Sequence, residues 1–497
     1  MNKTVLIIGG GVAGLSAGIY ARQAGYKVAL YEMNPSLGGQ CTAWKRKGYH
    51  IDNCLRFLAG CEKTEPLYQV WKNVGVFPDD IRLFRDPCLC SVQINGRTLH
   101  LWSDLNRARK ELLKAAPEDR ARLLHFFSSV EKMKRAKLPC EGSPADLGVL
   151  ERFRASLADP AVTRIKREFS SITLGEYARS FSSEAVRFLL KSYAQGGLPA
   201  LTLVQDYALY ASGSAAFPAG GSSVMISRMR NRLETLGGRI YTSSRIQTIS
   251  CGHNEIRGII LADGKRIKAD YYIWTADPYA LFSEHIGTRY MDPAMKAVYE
   301  HPEKYPASTG FQVFFGIDTD EDLELPSGLY TFPCEAFTAA GQTCKACRIR
   351  LLDSDISLFS RERRVLRCSI PESPSQYRYW EQLSRDHDAY HTEKYKIARE
   401  MLERIEKQFP ALKDHLIILS TCSPITYNRW CNAHQGCYKG FRSLDGRGDH
   451  YIPNAVRRIH NLFLASQWLQ SGGGLHSAVL QGKFAIEAIR QREKDRR

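Results

Sequence analysis

At 497 residues the chain exceeds what one hydrophobic core normally organises, and roughly 150 residues per unit predicts two to four units. With 44% hydrophobic and 24% charged residues and no apolar run near the roughly 18 residues of a membrane span, it reads as soluble and globular, and a membrane-spanning helix is excluded. The formal charge of +17 asks for acidic partners, but no helix-turn-helix, zinc-finger or ribonucleoprotein signature accompanies it, so no nucleic acid is expected.

Taken in chain order, the first element is the apolar run Val5–Ile8, a buried parallel strand, which feeds directly into Gly9-Gly10-Gly11-Val12-Ala13-Gly14. This is G-x-G-x-x-G between a strand and a helix, the setting in which backbone N–H groups at a helix N-terminus receive a pyrophosphate. The stretch Val5–Tyr20 is too rich in glycine and alanine for a signal-peptide core. The helix places Val12, Leu15 and Ile19 on one side and keeps Gly14 and Gly18 small where it lies close to the sheet. A second strand, Lys27–Tyr31, ends in Glu32, 18 residues after Gly14, where an acid accepts both ribose hydroxyls and repels a 2′-phosphate. Gly38-Gly39-Gln40 and Gly48-Tyr49-His50-Ile51-Asp52 follow, and then Arg56.

The next excursion, about 91–215, reads as helical and basic: Arg107–Lys137 holds ten Lys or Arg against four Asp or Glu. Such helices suit an anionic membrane surface when they are not simply solvated faces. A central return follows, with strands at Arg239–Tyr241, Ile246–Ile249 and Ile256–Leu261, a turn at Ala262-Asp263-Gly264, and a last strand at Tyr271–Trp274. The second excursion, 281–455, mixes a strand at Thr309–Ile317 with a helix at Glu393–Phe409. Fourteen cysteines without regular spacing predict reduced thiols in a cytoplasmic protein. Cys344-Lys-Ala-Cys347, completed by Cys431, His434 or Cys437, is the one pair with metal spacing, and no metal site is expected from it.

Near the C-terminus Leu462–Ala465 makes another strand, and Gly472-Gly473-Gly474 opens a helix whose buried face is Leu475, Ala478, Val479, Gly482, Ala485, Ile486 and Ile489. His476, in the first turn, should be neutral there, able to give or take a proton.

These blocks resemble, in order and from end to end, the phytoene desaturase, carotenoid isomerase and retinol saturase group of FAD-dependent oxidoreductases. The matching segments are the amino-terminal glycines with Glu32, Gly38-Gly39, Gly48 to Asp52, Pro218-Ala219-Gly220-Gly221, Arg245-Ile246, Tyr271 to Ala276 and Asn461 to Trp468 with the glycine triplet.

The resemblance implies an α/β fold: a Rossmann-type FAD-binding domain of the glutathione-reductase kind from 1–90, 216–280 and 456–497, interleaved with a mixed α+β substrate domain from 91–215 and 281–455. FAD would be bound by Gly9, Gly11, Val12, Ala13, Gly14, Gly38, Gly39 and Gln40 around the pyrophosphate, Glu32 at the ribose and Ile246 at the adenine. Gln467 would serve the ribityl or phosphate region, and Gly473, Gly474 and Leu475 the isoalloxazine. Gln40 stands where many relatives have Arg, so Lys45 or Arg46 is expected to supply the phosphate contact. Arg56 and His476 are the catalytic candidates, Arg56 being equally readable as an ion-pair partner.

The expected reaction is desaturation, saturation or isomerisation at C–C or C=C bonds of an apolar polyene or lipid-like substrate drawn from a membrane surface. The alternatives are an amine oxidase, which needs an aromatic cage, and a non-catalytic FAD-binding protein. No second nucleotide-binding unit is visible, so the electron partner is a substrate, a quinone, oxygen or a transient donor.

Overall fold

The computed structural model describes residues 3–319, 321, 323–352 and 363–495. Five short parallel strands form the first sheet, in the order Leu462–Leu464, Tyr271–Trp274, Thr4–Ile8, Lys27–Tyr31, Arg239–Tyr241. Val5 to Ile8 are buried on both faces, which is why this strand reads as a continuous apolar run instead of an alternating one. One face carries the helices Val12–Gln23 and Gly474–Asp495, and the close approach there depends on glycine. A Cβ on Gly482 would lie 2.6 Å from the Ala13 carbonyl oxygen, and one on Gly18 would lie 3.0 Å from Leu233. An antiparallel ribbon, Ile246–Gly252, Glu255–Leu261 and Arg266–Ile267, lies beyond the other face with its own apolar cluster.

A second sheet of seven strands runs Leu416–Cys422, Thr309–Ile317, Arg364–Glu372, Gln342–Leu351, Leu329–Ala339, Cys88–Ile94, Arg97–Trp102. Its two faces differ. Phe311, Val313, Phe315, Ile349, Cys368 and Ile370 point to one side and pack with Trp380 and the helix His387–Gln408. The alternate positions, Gln312, Arg348, Arg350, Arg367 and Ser369, point to the other side, toward the parallel sheet. Seven helices between Leu105 and Ala211 build a third layer around Phe126, Leu189 and Tyr207.

All five parallel strands come from 1–90, 216–280 and 456–497, but a boundary at 90 cuts the strand Cys88–Ile94. The hairpin 88–102 belongs with the second sheet, so the first excursion begins as strand and only then becomes helical. The basic helices Leu105–Ala115 and Arg120–Met133 expose their charges, and Leu124, Leu150 and Leu157 are also exposed in this region. Among the described residues no helix is long and apolar enough to cross a membrane.

Candidate functional site

A cavity of about 690 Å³ runs between the two sheets, and its ends differ in chemistry. At the first end the turn after Thr4–Ile8 meets the 38–39 loop. Gly38 N–H donates to the Gly10 carbonyl at 2.9 Å, and Gly11 and Gly38 form a lone parallel bridge. Glu32 is 5% exposed; its carboxylate accepts from Gly10 N–H at 2.7 Å and Asn34 N–H at 2.8 Å, locking the first turn to the end of the second strand. Gly38 has φ +119°, and a Cβ there would sit 2.3 Å from the Cys41 carbonyl oxygen. At Gly11 a Cβ would meet nothing nearer than 3.7 Å, so it would project into the space between the two loops. Helix Val12–Gln23 has no side-chain cap, leaving its first-turn N–H groups free to serve an anion in that space. Ser244, Ile246 and Ala262 complete this end.

The middle is closed by two glutamines. Gln467 Nε2 donates to Gln40 Oε1 at 2.7 Å, Gln40 Nε2 donates to the Cys437 carbonyl at 3.1 Å, and Gln467 Oε1 accepts from Gly474 N–H at 2.8 Å. An amide can do both jobs because it carries donor and acceptor together, which a carboxylate at 467 could not. Leu475 and His476 line the cavity beside it. Burial, with repulsion from Lys439 and Arg442, drives the His476 ring down to about 4, so it is neutral, as its position at the helix N-terminus predicts. A Cβ on Gly474 would lie 3.7 Å from both the His476 ring and Lys439 Cε, which brings these two side chains together. Burial lowers the Lys439 ammonium to about 8, with Asp206 opposing and Arg442 and Arg56 adding to the fall.

At the far end Asp52 sets the loop that carries Arg56. Its Oδ1 accepts from Cys54 N–H, Leu55 N–H and Ser222 Oγ, and its Oδ2 from Ser222 N–H at 2.6 Å, tying the loop to the helix Gly221–Thr235. The Arg56 guanidinium lies 4.2 Å over the Tyr193 ring and forms no ion pair among the described residues, so the ion-pair reading finds no partner there. Tyr193 donates to Asp206 Oδ2 at 2.6 Å. Tyr427 and Tyr438 also line the cavity, with centroids 5.3 Å apart and planes at 59°.

The sequence-derived candidates Gly9, Gly11, Val12, Ala13, Glu32, Gly38, Gly39, Gln40, Arg56, Ile246, Gln467, Gly474, Leu475 and His476 all line this one cavity. Two do not. Gly14 packs against the turn, where a Cβ would be 2.0 Å from the Gly9 carbonyl oxygen, and Gly473 faces Gly440, whose N–H would be 2.7 Å from a Cβ. Their smallness serves backbone packing. Lys45 and Arg46 are exposed on a hairpin and do not reach the cavity, which corrects the expected phosphate contact. No cluster of three potential metal ligands occurs among the described residues, Cys344 and Cys347 included. Sequence reasoning missed Asp206, Arg348, Arg367, Lys439 and Arg442. Asp206 sits on a helix, Arg348 and Arg367 on two strands, and Lys439 and Arg442 on one loop, and only strand alternation around 348–350 and 367–369 hints at a shared face.

The parallel sheet with its glycine turn, the terminal acid and the covering second sheet define a flavin-dependent oxidoreductase fold. Residues 12–490 match the family of flavin containing amine oxidoreductases, and the chain belongs to that family, with FAD as its cofactor. It is 20% identical, over the full length of both chains, to 4,4′-diaponeurosporene oxygenase of Staphylococcus aureus (strain MW2). Among solved structures it is similar to an oxidoreductase from Methanosarcina mazei (TM-score 0.60, 16% identity, 97% of this chain and 100% of that one). It is also similar to cyclohexylamine oxidase from Brevibacterium oxydans IH-35A (TM-score 0.58, 16% identity, 100% of both).

Proposed function

We propose that this flavoprotein works on a carbon–carbon bond, desaturating, saturating or isomerising it, and not on an amine. The observation that carries this reading is the charge of the cavity wall: Arg56, Arg348, Arg367, Lys439 and Arg442 face it against the single carboxylate Asp206 at that end, among the described residues. A protonated amine would be repelled there by several cations at short range. Tyr427 and Tyr438, tilted against each other and set among these cations, do not make the parallel pair of walls that an amine cage needs.

FAD, when bound, supplies hydride exchange with a C–H bond. Gly11, Val12, Ala13, Gly38 and Gly39 would hold its pyrophosphate, Glu32 its ribose, and the first-turn N–H groups at Leu475 and His476 would meet its ring system. A desaturation also releases one proton per hydride, and the neutral His476 ring can take it; in the saturating direction the same nitrogen, protonated, returns it. Lys439, beside it and close to its own pKa at neutral pH, can pass that proton on.

The test is anaerobic. Dithionite-reduced enzyme should be reoxidised by conjugated alkenes, while putrescine and cyclohexylamine should leave oxidised enzyme yellow. Bleaching by the amines would overturn the reading. His476→Ala should retain FAD and slow alkene-driven reoxidation by roughly a hundredfold or more, the usual loss for a general acid or base. An unchanged rate would return His476 to packing.

Exposed Leu124, Leu150 and Leu157 beside basic helices support docking of the enzyme on anionic lipid. Vesicle binding should rise with anionic lipid content and fall with salt. Indifference to both would reject it.

A further inference from the structure

Arg56, Arg348, Arg367, Lys439 and Arg442, the five cations of the cavity wall, differ from Arg350, which lies on the same sheet face as Arg348 and Arg367. Arg350 is answered by Asp86 at 2.7 Å and also donates to the Arg56 carbonyl. Arg56, Arg348, Arg367, Lys439 and Arg442 form no ion pair among the described residues. Arg348 Nη2 donates to the Tyr193 carbonyl at 2.8 Å, but its Nε is buried with no acceptor among the described residues. Arg367 reaches the Asn53 carbonyl only at 3.4 Å. Arg56 is the most open: its Nε and Nη2 are both buried and both without a partner among the described residues.

Those two nitrogens form one edge of the guanidinium, with parallel N–H bonds spaced to match the two oxygens of a carboxylate. Thr331 Oγ1, a hydroxyl on the same side of the sheet, is likewise buried without a partner among the described residues. A wholly apolar ligand would leave every one of these groups desolvated and unanswered, a cost that buried polar atoms do not normally carry. Burial, with mutual repulsion, lowers Arg348 and Arg367 to about 10, so an anion would relieve the cluster. Asp206 cannot do this for all of them, since it is one charge among five and already holds Tyr193.

We propose that the substrate carries a carboxylate, received by the open edge of Arg56 with Arg348 and Arg367 beside it, so that the carbon–carbon bond to be changed lies between this anchor and His476. The inference rests on the reading that this cavity is the substrate site, and it replaces a purely apolar substrate by an unsaturated or saturable acid. Arg56 acts here in binding and orientation: a fixed carboxylate restricts which carbon can face the flavin ring.

Binding without turnover tests it. FAD-loaded enzyme is titrated with cinnamate, cinnamyl alcohol and cinnamylamine, which share one skeleton and differ in charge, and the flavin absorbance is followed. Cinnamate should bind at least about tenfold more tightly than the alcohol, and the amine more weakly still. Arg56→Gln and, separately, Arg348→Gln should abolish that preference while leaving affinity for the alcohol and FAD content unchanged; the second variant covers the case in which the first misfolds. Equal affinity for cinnamate and the alcohol, or a preference that survives both substitutions, would overturn the carboxylate anchor. So would inorganic phosphate displacing cinnamate at equal concentration, which would make this a phosphate site. If the preference is present but no alkene reoxidises the reduced enzyme, the carbon–carbon reading fails and the anchor stands.

Discussion

The two ends of the cavity use charge in opposite ways. At the nucleotide end the buried Glu32 carboxylate is held by the Gly10 and Asn34 N–H groups, one on each oxygen, so its orientation is set before any ligand arrives. At the end proposed for the substrate, Arg56 and Arg348 hold N–H groups that no atom of the described residues answers. The first arrangement fixes a shape for a cofactor that stays; the second stores unsatisfied hydrogen-bonding capacity for a molecule that comes and goes. A permanent ligand can be met by preorganised backbone, whereas selection among transient ligands is sharpened by groups that are costly to leave unpaired.

The comparison breaks most decisively at the nucleotide end. Gly38→Ala should give a protein without FAD, because the backbone there is left-handed and the added carbon would strike the Cys41 carbonyl; normal flavin content by absorbance would mean that the turn is not the cradle. Glu32→Ala, which frees two N–H groups and removes the ribose acceptor, should weaken FAD binding by about ten- to a hundredfold, as losing a charged hydrogen bond does. Unchanged affinity in that variant would move the ribose elsewhere.

The smallest effect sharpens the other end. Lys439 loses its proton near pH 8, facing Asp206, Arg442, Arg56 and His476, so its charge is present below that value and lost above it. Cinnamate affinity should fall by several-fold between about pH 7 and 9, and Lys439→Met should flatten the dependence. A slope that persists in the variant would assign the titration to another group.

How much of this was legible follows the same division. The glycine turn, Glu32 and the helix opened by Gly472–Gly474 are contiguous signals, each short enough for backbone chemistry to dictate it, and the parallel sheet was readable from Val5–Ile8 and Tyr271–Trp274. The Cys88–Trp102 hairpin was not, because its partner strand Leu329–Ala339 lies more than 200 residues away and only their pairing gives the segment a sheet to join. The cation cluster was hidden for a related reason. Arg348 and Arg367 look like ordinary solvent-facing positions of half-buried strands until a third layer covers that face. Gly14 and Gly473 show the converse: glycines in a binding motif whose own space is taken by neighbouring backbone.

Gly482 and Ser16 bear on how such a protein is made. Ser16 Oγ donates to the Val479 carbonyl at 2.7 Å, and Gly482 lies flat against the Ala13 carbonyl, so the helix that follows the glycine turn, proposed above to meet the pyrophosphate, is braced by one emerging more than 450 residues later. A ribosome adding about 5 to 20 residues per second takes on the order of tens of seconds to cover that interval. During that time the Val5–Ile8 strand lacks Tyr271–Trp274 at its side and the glycine turn lacks its brace. Cofactor capture is therefore a late event in synthesis, and the nascent amino-terminal strand is a segment for chaperones to shield.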